Sequence, residues 1–420
     1  YASPLPFILD FGKIIDVPAR SVHLAFGLAL CFLAYPTFKK NRDRPISGID
    51  FLLVAISIAA TLYIFFDYEG LVYRQGIMAK VNLFGFIIPY EVILGSLGII
   101  LLLEATRRAI GIPLVIIALI FLLFSIFGQS MPDLISHQGL SITRLVGYHW
   151  FGGEAIFGIP ISVSVSFIFL FVLFGAILDV AGGGKYFLNL AFALVGKMRG
   201  GPAKAAILAS GLTGLISGSS VANTVTTGTF TIPIMKKTGL PAVKAGAVEV
   251  AASVNGQIMP PIMGAAAFIM AEFLGKSYLE VAAFALIPAL LYYLALFCTV
   301  HFEAKRLGML GLAPKDLPKL KAVLSSQGHL FIPLFVVIAI LLAGYSPPLA
   351  ALFGIASTIP TACIRKSTRH YINFDNLVKH LADIVGVPQK LLKSQSQVNA
   401  EREQAQQQQQ EQMQMQQVQQ

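Results

Sequence analysis

Charge is what this sequence has least of. Only 12% of its 420 residues are Asp, Glu, Lys or Arg, about half the roughly 25% of a soluble domain. Such a composition cannot cover a water-facing surface, which excludes an ordinary soluble globular protein. Cysteine is also scarce: Cys31, Cys298 and Cys363 lie in or at the ends of apolar runs. With no CxxC and no Cys/His spacing, neither a disulfide framework nor a metal site is indicated. No apolar run holds two aspartates and the lysines sit at run ends, so the catalytic pairs of an intramembrane enzyme are missing. The net charge of +10 does not mark a nucleic-acid binder, because the basic residues do not interleave with aromatics on one patch. The chain opens at Tyr1 with neither a methionine nor a signal peptide, and it reads as clipped at the front.

Long apolar runs are what the sequence does have. Hydrophobic residues make up 56% of it, with 31 phenylalanines. A membrane-crossing helix needs about 20 mostly apolar residues. Stretches that meet this run at about 21–37, 50–66, 84–105, 110–128, 156–179, 278–301, 329–345 and 347–364. The basic residues cluster between them, at Lys39-Lys40-Arg42-Arg44, Arg107-Arg108, Lys185, Lys197-Arg199, Lys236-Lys237, Lys305-Arg306, Lys315-Lys319-Lys321 and Arg365-Lys366-Arg369. Alternating the spans puts every cluster on one side, the cytoplasmic one, provided 201–235 enters and leaves from that side. The loops around Asp67-Tyr68-Glu69 and Gln129–Gly153 then face outward. The expected fold is an all-α polytopic membrane protein in a lipid bilayer.

The central region breaks the pattern. Ala205–Leu215 and Val221–Met235 are apolar or small, with Ser217-Gly218-Ser219-Ser220 between them and lysines on both flanks. Each limb is only about 11–15 residues, too short to cross about 30 Å of hydrocarbon. The pattern predicts a re-entrant hairpin over 201–238 with its tip, Ser217 to Asn223, near mid-membrane. Backbone there must be buried in protein or line a watery cavity, and hydroxyl and carbonyl oxygens suit a hard cation.

Ala242–Ser253 and Ile262–Phe273 read as half-helices of a broken helix over 242–274, separated by Val254-Asn255-Gly256-Gln257-Ile258-Met259-Pro260-Pro261. Two adjacent prolines remove two donors and stop the helix. Carbonyls freed near Asn255–Met259 would hold an ion, and the next half-helix N-terminus would face an anion. Read alone, the SGSS run is what close helix packing requires; together with the Pro-Pro break and the GAAAF that follows, it points to a site. Glu249, in the first half-helix, is a functional residue by its depth or a solvated carboxylate of a cytoplasmic vestibule. Glu104 pairs with Arg107 and Arg108 at a helix end. His23, His149 and Trp150 read as interfacial anchors.

Two motifs, GLISGSSVANTVTTGTFTIPIMKKTGLP and AGAVEVAASVNGQIMPPIMGAAAFIMAEFLG, resemble the large membrane subunit of tripartite ATP-independent periplasmic (TRAP) transporters. Upstream, ARSVHLAFGLALCFLAYP and RRAIG are similar to the front of the fused permeases of the TAXI subgroup, in which small and large subunits are joined. The resemblance covers roughly 1–365. It implies an elevator-type secondary transporter of the cytoplasmic (inner) membrane. Small organic anions would reach it from a TAXI-type periplasmic binding protein and enter with sodium, or with protons, without a resident cofactor. Residues 1–128 would correspond to the small subunit with its first helix missing, 150–310 to the first repeat of the large one, and 311–365 to a linker and the start of a second half. By the same resemblance, Ser217, Gly218, Ser219, Ser220, Asn223 and Thr226 at the hairpin and Asn255, Gly256, Gln257, Pro260 and Pro261 at the break would bind ion and substrate, with Glu249 as a polar accessory.

Two departures bear on that expectation. An intact fused permease has a span before Tyr1 and a second inverted repeat after about 365, and no second hairpin or PPxxG break occurs between Gly311 and Gln420. Residues 366–403 instead read as a soluble helical tail. Its GVP-xxLL-x-S-xxx-V-x-A-x-R spacing resembles the end of podovirus head-to-tail connector (portal) proteins. Residues 404–420 are glutamine-rich and expected to be disordered. The competing expectation is a truncated or chimeric membrane protein that does not transport.

Overall fold

The computed structural model describes residues 4–8, 13–14, 16–37, 47–74, 77–83 and 86–364. The clusters Lys39–Arg44 and Arg365–Arg369, the tail 366–403 and the glutamine run 404–420 lie outside the described residues, as do the side chains of Ser217 and Cys363.

The chain runs through α1 (Asp16–Ala34), α2 (Gly48–Phe66), strands β1 (Val81–Leu83) and β2 (Phe86–Ile88), α3 (Tyr90–Ala109) and α4 (Ile112–Ile126). Next come α5 (Ile159–Val180, with a π-turn at Ser164–Ile168) and α6 (Gly183–Val195). They are followed by α7 (Gly201–Ser217), α8 (Ser220–Lys237), α9 (Ala242–Asn255), α10 (Ala265–Leu274), α11 (Tyr278–Arg306), α12 (Ile332–Leu342) and α13 (Pro347–Cys363). Among the described residues five helical stretches are long and apolar enough to cross a membrane: Asp16–Ala34, Gly48–Phe66, Ile159–Val180, Tyr278–Arg306 and Pro314–Leu342. The polytopic helical reading therefore stands.

The expected span at 84–105 is corrected. Strands β1 and β2 pair antiparallel with Val81 opposite Ile88, and the helix begins only at Tyr90, after Pro89. The apolar strand Phe86–Ile88 had read as the first turn of a span.

Apolar side chains gain little by exchanging lipid for protein, so helix contacts in a bilayer depend on close fit. Trp150 illustrates this. It is fully buried, lies against Gly98 of α3, where a Cβ would fall 2.2 Å from its ring, and donates its indole N–H to Ala60 O at 3.2 Å. The anchor reading of Trp150 fails because its partner glycine is distant in sequence. His23 is likewise no interfacial anchor: its Nε2 lies 3.0 Å from Ser164 Oγ, tying α1 to the π-turn of α5. His149 bonds back to Leu145 O at 2.9 Å. The Glu104 pairing holds, at 2.7 Å from both Arg107 and Arg108, and Arg108 also reaches Asp50 at 2.8 Å.

The largest core gathers Phe171, Phe174, Phe268 and Tyr278 with α12 and α13. Phe268 stacks on Tyr278 with centroids 4.3 Å apart, a contact worth about 0.5–1.5 kcal/mol beyond area burial.

Candidate functional site

Residues 201–237 fold as a helical hairpin with a two-residue tip. Gly218 adopts φ 58°, ψ 0° and closes α7 in the left-handed conformation, which glycine reaches without the Cβ penalty. Ser219 is the N-cap of α8, its hydroxyl accepting from Ala222 N at 3.3 Å. Glycine and serine thus cap the limbs rather than break them early. The limbs are 17 and 18 residues long, a correction to the expected 11–15, although 17 residues rise only about 26 Å.

The broken helix is present as well. α9 ends at Asn255 and α10 starts at Ala265. The intervening chain turns through a cis Pro260–Pro261 peptide and Met263 at φ 53°. Gly264 N closes the turn on Gln257 O at 2.6 Å.

Hairpin tip and helix break meet backbone to backbone. A Cβ on Gly214 would lie 2.6 Å from Gly256 Cα, and one on Gly218 would lie 2.7 Å from Met263 O. Gln257 Nε2 donates to Ser220 Oγ at 2.9 Å across the same contact. Beside it opens a cavity of about 350 Å³ lined by Asp179, Thr213, Ser219, Asn223 and Thr226, among others. That volume suits a small ligand, for which pockets begin near 300 Å³.

The predicted residues fall into three groups. Ser219, Asn223 and Thr226 line the cavity. Gly218, Ser220, Gly256 and Gln257 build the junction. Asn255 and the prolines are placed differently. Asn255 Nδ2 donates to Ala289 O of α11 at 3.0 Å. The carbonyls of Pro261 and Ile262 accept from the Tyr278 hydroxyl at 2.8 and 2.5 Å. Of the carbonyls expected to be free, Asn255 O accepts from Ile258 N at 3.1 Å and Gln257 O from Gly264 N. These carbonyls are taken up because the turn folds back on itself, and Tyr278 of α11 serves those of Pro261 and Ile262. Ser217 closes α7.

Asn223 is a strut as well as a lining residue. It is 1% exposed; its Oδ1 accepts from Thr213 Oγ1 at 2.7 Å and its Nδ2 donates to Ser210 O at 2.8 Å. Both partners belong to the opposite limb. Sequence reasoning missed Ser210, Thr213, Thr227, Thr231, Ser253, Asp179 and Tyr278. Part of the signal was there: Asn223, Thr227 and Thr231 recur every four residues, one polar stripe on an apolar helix.

Two ionisable side chains are buried where water was expected. Lys204 is fully buried, with Nζ 2.9 Å from His301 Nδ1 and 4.8 Å above the Phe297 ring. It was read as a flanking cytoplasmic lysine; packing of α7 against α11 removes it from solvent. Glu249 is fully buried too, so the vestibule reading is corrected. Ser210 donates to its Oε1 at 2.7 Å, Thr227 donates to the same oxygen, and Thr231 donates to Oε2 at 2.5 Å. Among the described residues no group of three or more His, Cys, Asp or Glu stands ready to hold a metal ion.

Comparison with known proteins agrees with this architecture. Residues 97–392 match the family "Tripartite ATP-independent periplasmic transporter, DctM component". The chain is 31% identical over 223 residues to the uncharacterized protein YgiK of Salmonella typhimurium, covering 53% of this chain and 46% of that one. It is 29% identical to the 2,3-diketo-L-gulonate TRAP transporter large permease protein YiaN of Escherichia coli, over 35% of this chain and 34% of that one. To the C4-dicarboxylate TRAP transporter large permease protein DctM of Pseudomonas aeruginosa it is 30% identical, over 32% and 31%. The matched part therefore spans less than half the length of each relative. A match over most of the chain, to a family of transport components rather than enzymes, identifies it: the chain belongs to the DctM component family of tripartite ATP-independent periplasmic transporters, multi-pass proteins of the bacterial inner membrane.

Proposed function

We propose that the chain is the membrane permease of an ion-coupled secondary transporter that imports small organic anions. A periplasmic binding protein of the TAXI type delivers the substrate. Residues 1–128 act as a fused small subunit, and the hairpin α7–α8 and broken helix α9–α10 form half of the transport site. They enter the bilayer as a re-entrant unit and move together, elevator fashion, carrying sodium or protons with the substrate.

The observation that supports this best is the junction itself. Hairpin tip and helix break are pressed together through Gly214, Gly218, Gly256 and Gly264 beside a cavity lined by hydroxyls, an amide and a carboxylate. Broken helices facing such a site are the common device of secondary transporters. The substrate class rests on two relatives, a 2,3-diketo-L-gulonate and a C4-dicarboxylate permease.

The test is exchange of radiolabelled C4-dicarboxylates in proteoliposomes with the binding protein present. Exchange that follows an imposed sodium or proton gradient supports the reading. Exchange indifferent to both gradients, or none in a preparation that remains folded, counts against it.

A further inference from the structure

A second polar site sits inside the body of the hairpin, apart from the cavity. Five residues with polar side chains meet there, from three helices: Ser210 of α7, Thr227 and Thr231 of α8, and Glu249 and Ser253 of α9. All are at most 4% exposed. Room for the carboxyl is made by Gly228, where a Cβ would lie 3.1 Å from Glu249 Cγ. Among the described residues none of the polar contacts of Glu249 is with a basic side chain. A lone carboxylate in such surroundings is costly, so its charge must be offset by something that binds there.

The hydrogen count says what that is. Each hydroxyl has one hydrogen to donate. Thr227 Oγ1 touches Glu249 Oε1 and also lies 2.8 Å from Asn223 O. Thr231 Oγ1 lies 2.5 Å from Glu249 Oε2 and 3.0 Å from Thr227 O. One hydrogen cannot serve both acceptors at full strength. With a carboxylate, both threonines turn towards Glu249. With a carboxylic acid, its O–H donates to one threonine, which then turns to its backbone carbonyl. The cage has two hydrogen-bonding solutions that differ by one proton. The hydroxyls also bond among themselves, Ser210 Oγ lying 3.1 Å from Thr227 Oγ1 and 3.4 Å from Ser253 Oγ.

We propose that Glu249 is a proton-binding site of the hairpin and broken-helix body, taking one proton from water to become a neutral acid and returning it on release. The inference rests on the transport reading for its purpose: the bound proton is the coupling ion, or one of them. Its link to the cavity is short. Thr227 bonds to Asn223 O, and Ser210 is held by Asn223 Nδ2, while Asn223 and Thr213 line the cavity.

The titratable groups on the surrounding elements are engaged elsewhere. Lys204 of α7 is held by His301 of α11, Lys244 of α9 pairs with Glu303 of α11 at 2.5 Å, and Tyr293 of α11 donates to Ala252 O. Lys236 and Lys237 lie in the last turn of α8.

The test is infrared difference spectroscopy of the purified full chain in lipid, titrated with pH in the presence and absence of sodium. The expected result is a carboxylic-acid C=O band that grows as pH falls, shifts in deuterium oxide, changes frequency in Thr231→Val and is lost in Glu249→Gln. The Thr231→Val spectrum decides the assignment should Glu249→Gln fail to fold. Absence of any acid band that these variants alter overturns the proposal. So does a band that sodium abolishes in proportion to its concentration, which would make the cage a cation site. No substrate or binding protein is needed, so a failed exchange assay with a titrating band refutes the transport reading and leaves the proton site standing.

Discussion

Gly214 of α7 and Gly256 at the end of α9 pack backbone against backbone, so closely that a Cβ on Gly214 would lie 2.6 Å from Gly256 Cα and one on Gly256 would lie 2.9 Å from Gly214 Cα. The contact joins the hairpin to the helix break. No side chain could be shifted to relieve it, because the opposing atom is backbone.

Gly214→Ala should therefore force the two elements apart. A cost of about 1–3 kcal/mol is expected for overpacking a close contact, read as a lowered thermal midpoint in detergent. Alanine at Gly246, inside α9 where a Cβ meets nothing within 4 Å, is the matched control and should leave the midpoint unchanged or slightly raised, since alanine favours a helix over glycine by about 1 kcal/mol.

Asn223→Ala removes the strut between the limbs. Thr213 Oγ1 loses one of its acceptors, keeping Ala209 O at 2.7 Å, and Ser210 O loses a donor, both buried. A buried hydrogen bond contributes about 0.5–1.5 kcal/mol, and with two removed chemical denaturation should report a loss of about 1–3 kcal/mol. Stability unchanged within error would mean that the limbs do not depend on this bridge.

Tyr278→Phe tests how the break is held. The hydroxyl serves the carbonyls of Pro261 and Ile262, and its removal leaves them without that donor while the ring keeps its stack on Phe268. The loss is expected at about 1–3 kcal/mol. Proteolysis or hydrogen exchange should become faster at 256–264 before it does elsewhere.

Acid should weaken the cluster of Tyr63, Asp67 and Arg74 in a defined direction. The Arg74 guanidinium, donating to Asp67 at 2.6 Å, holds the Asp67 carboxyl below its usual range, helped by the Tyr63 hydroxyl at 2.9 Å. A carboxyl lowered by folding adds stability above its unfolded value, about 3.9, and loses that contribution as pH falls through the lower folded value. Both partners are about a third exposed, so the contribution is about 1 kcal/mol or less. Glu104 and Glu303 also pair with arginines, so thermal melts between neutral and acid pH should show a smaller loss in Asp67→Asn than in the wild type.

How much of this was legible beforehand depends on whether the signal was local. The tip at Ser217–Asn223 and the break at Pro260-Pro261 are local, because glycine, serine and proline change backbone preferences where they stand. Limb lengths were misread because Gly218 and Ser219 act as caps, a role that extends a helix to its last residue instead of interrupting it. Trp150, Lys204 and Glu249 were misplaced because depth comes from partners far along the chain: Gly98, His301 and Ser210. Asn223 was placed at the site, but its bridge to Thr213 requires the register of the two limbs. The polar stripe Asn223, Thr227, Thr231 needed only a helix period to be seen.

If hairpin tip and helix break form one binding site for ion and substrate, as proposed, occupancy should protect the cavity beside them. Ala222 lines the cavity one turn from the tip, so Ala222→Cys, in a background with Cys31, Cys298 and Cys363 replaced, reports on it directly. The measurement is the rate of maleimide labelling in membranes as sodium, proton concentration and a C4-dicarboxylate are varied. The account predicts that the coupling ion slows labelling and that dicarboxylate slows it further only when that ion is present. A labelling rate unmoved by all three, in protein that binds lipid and remains folded, would contradict it.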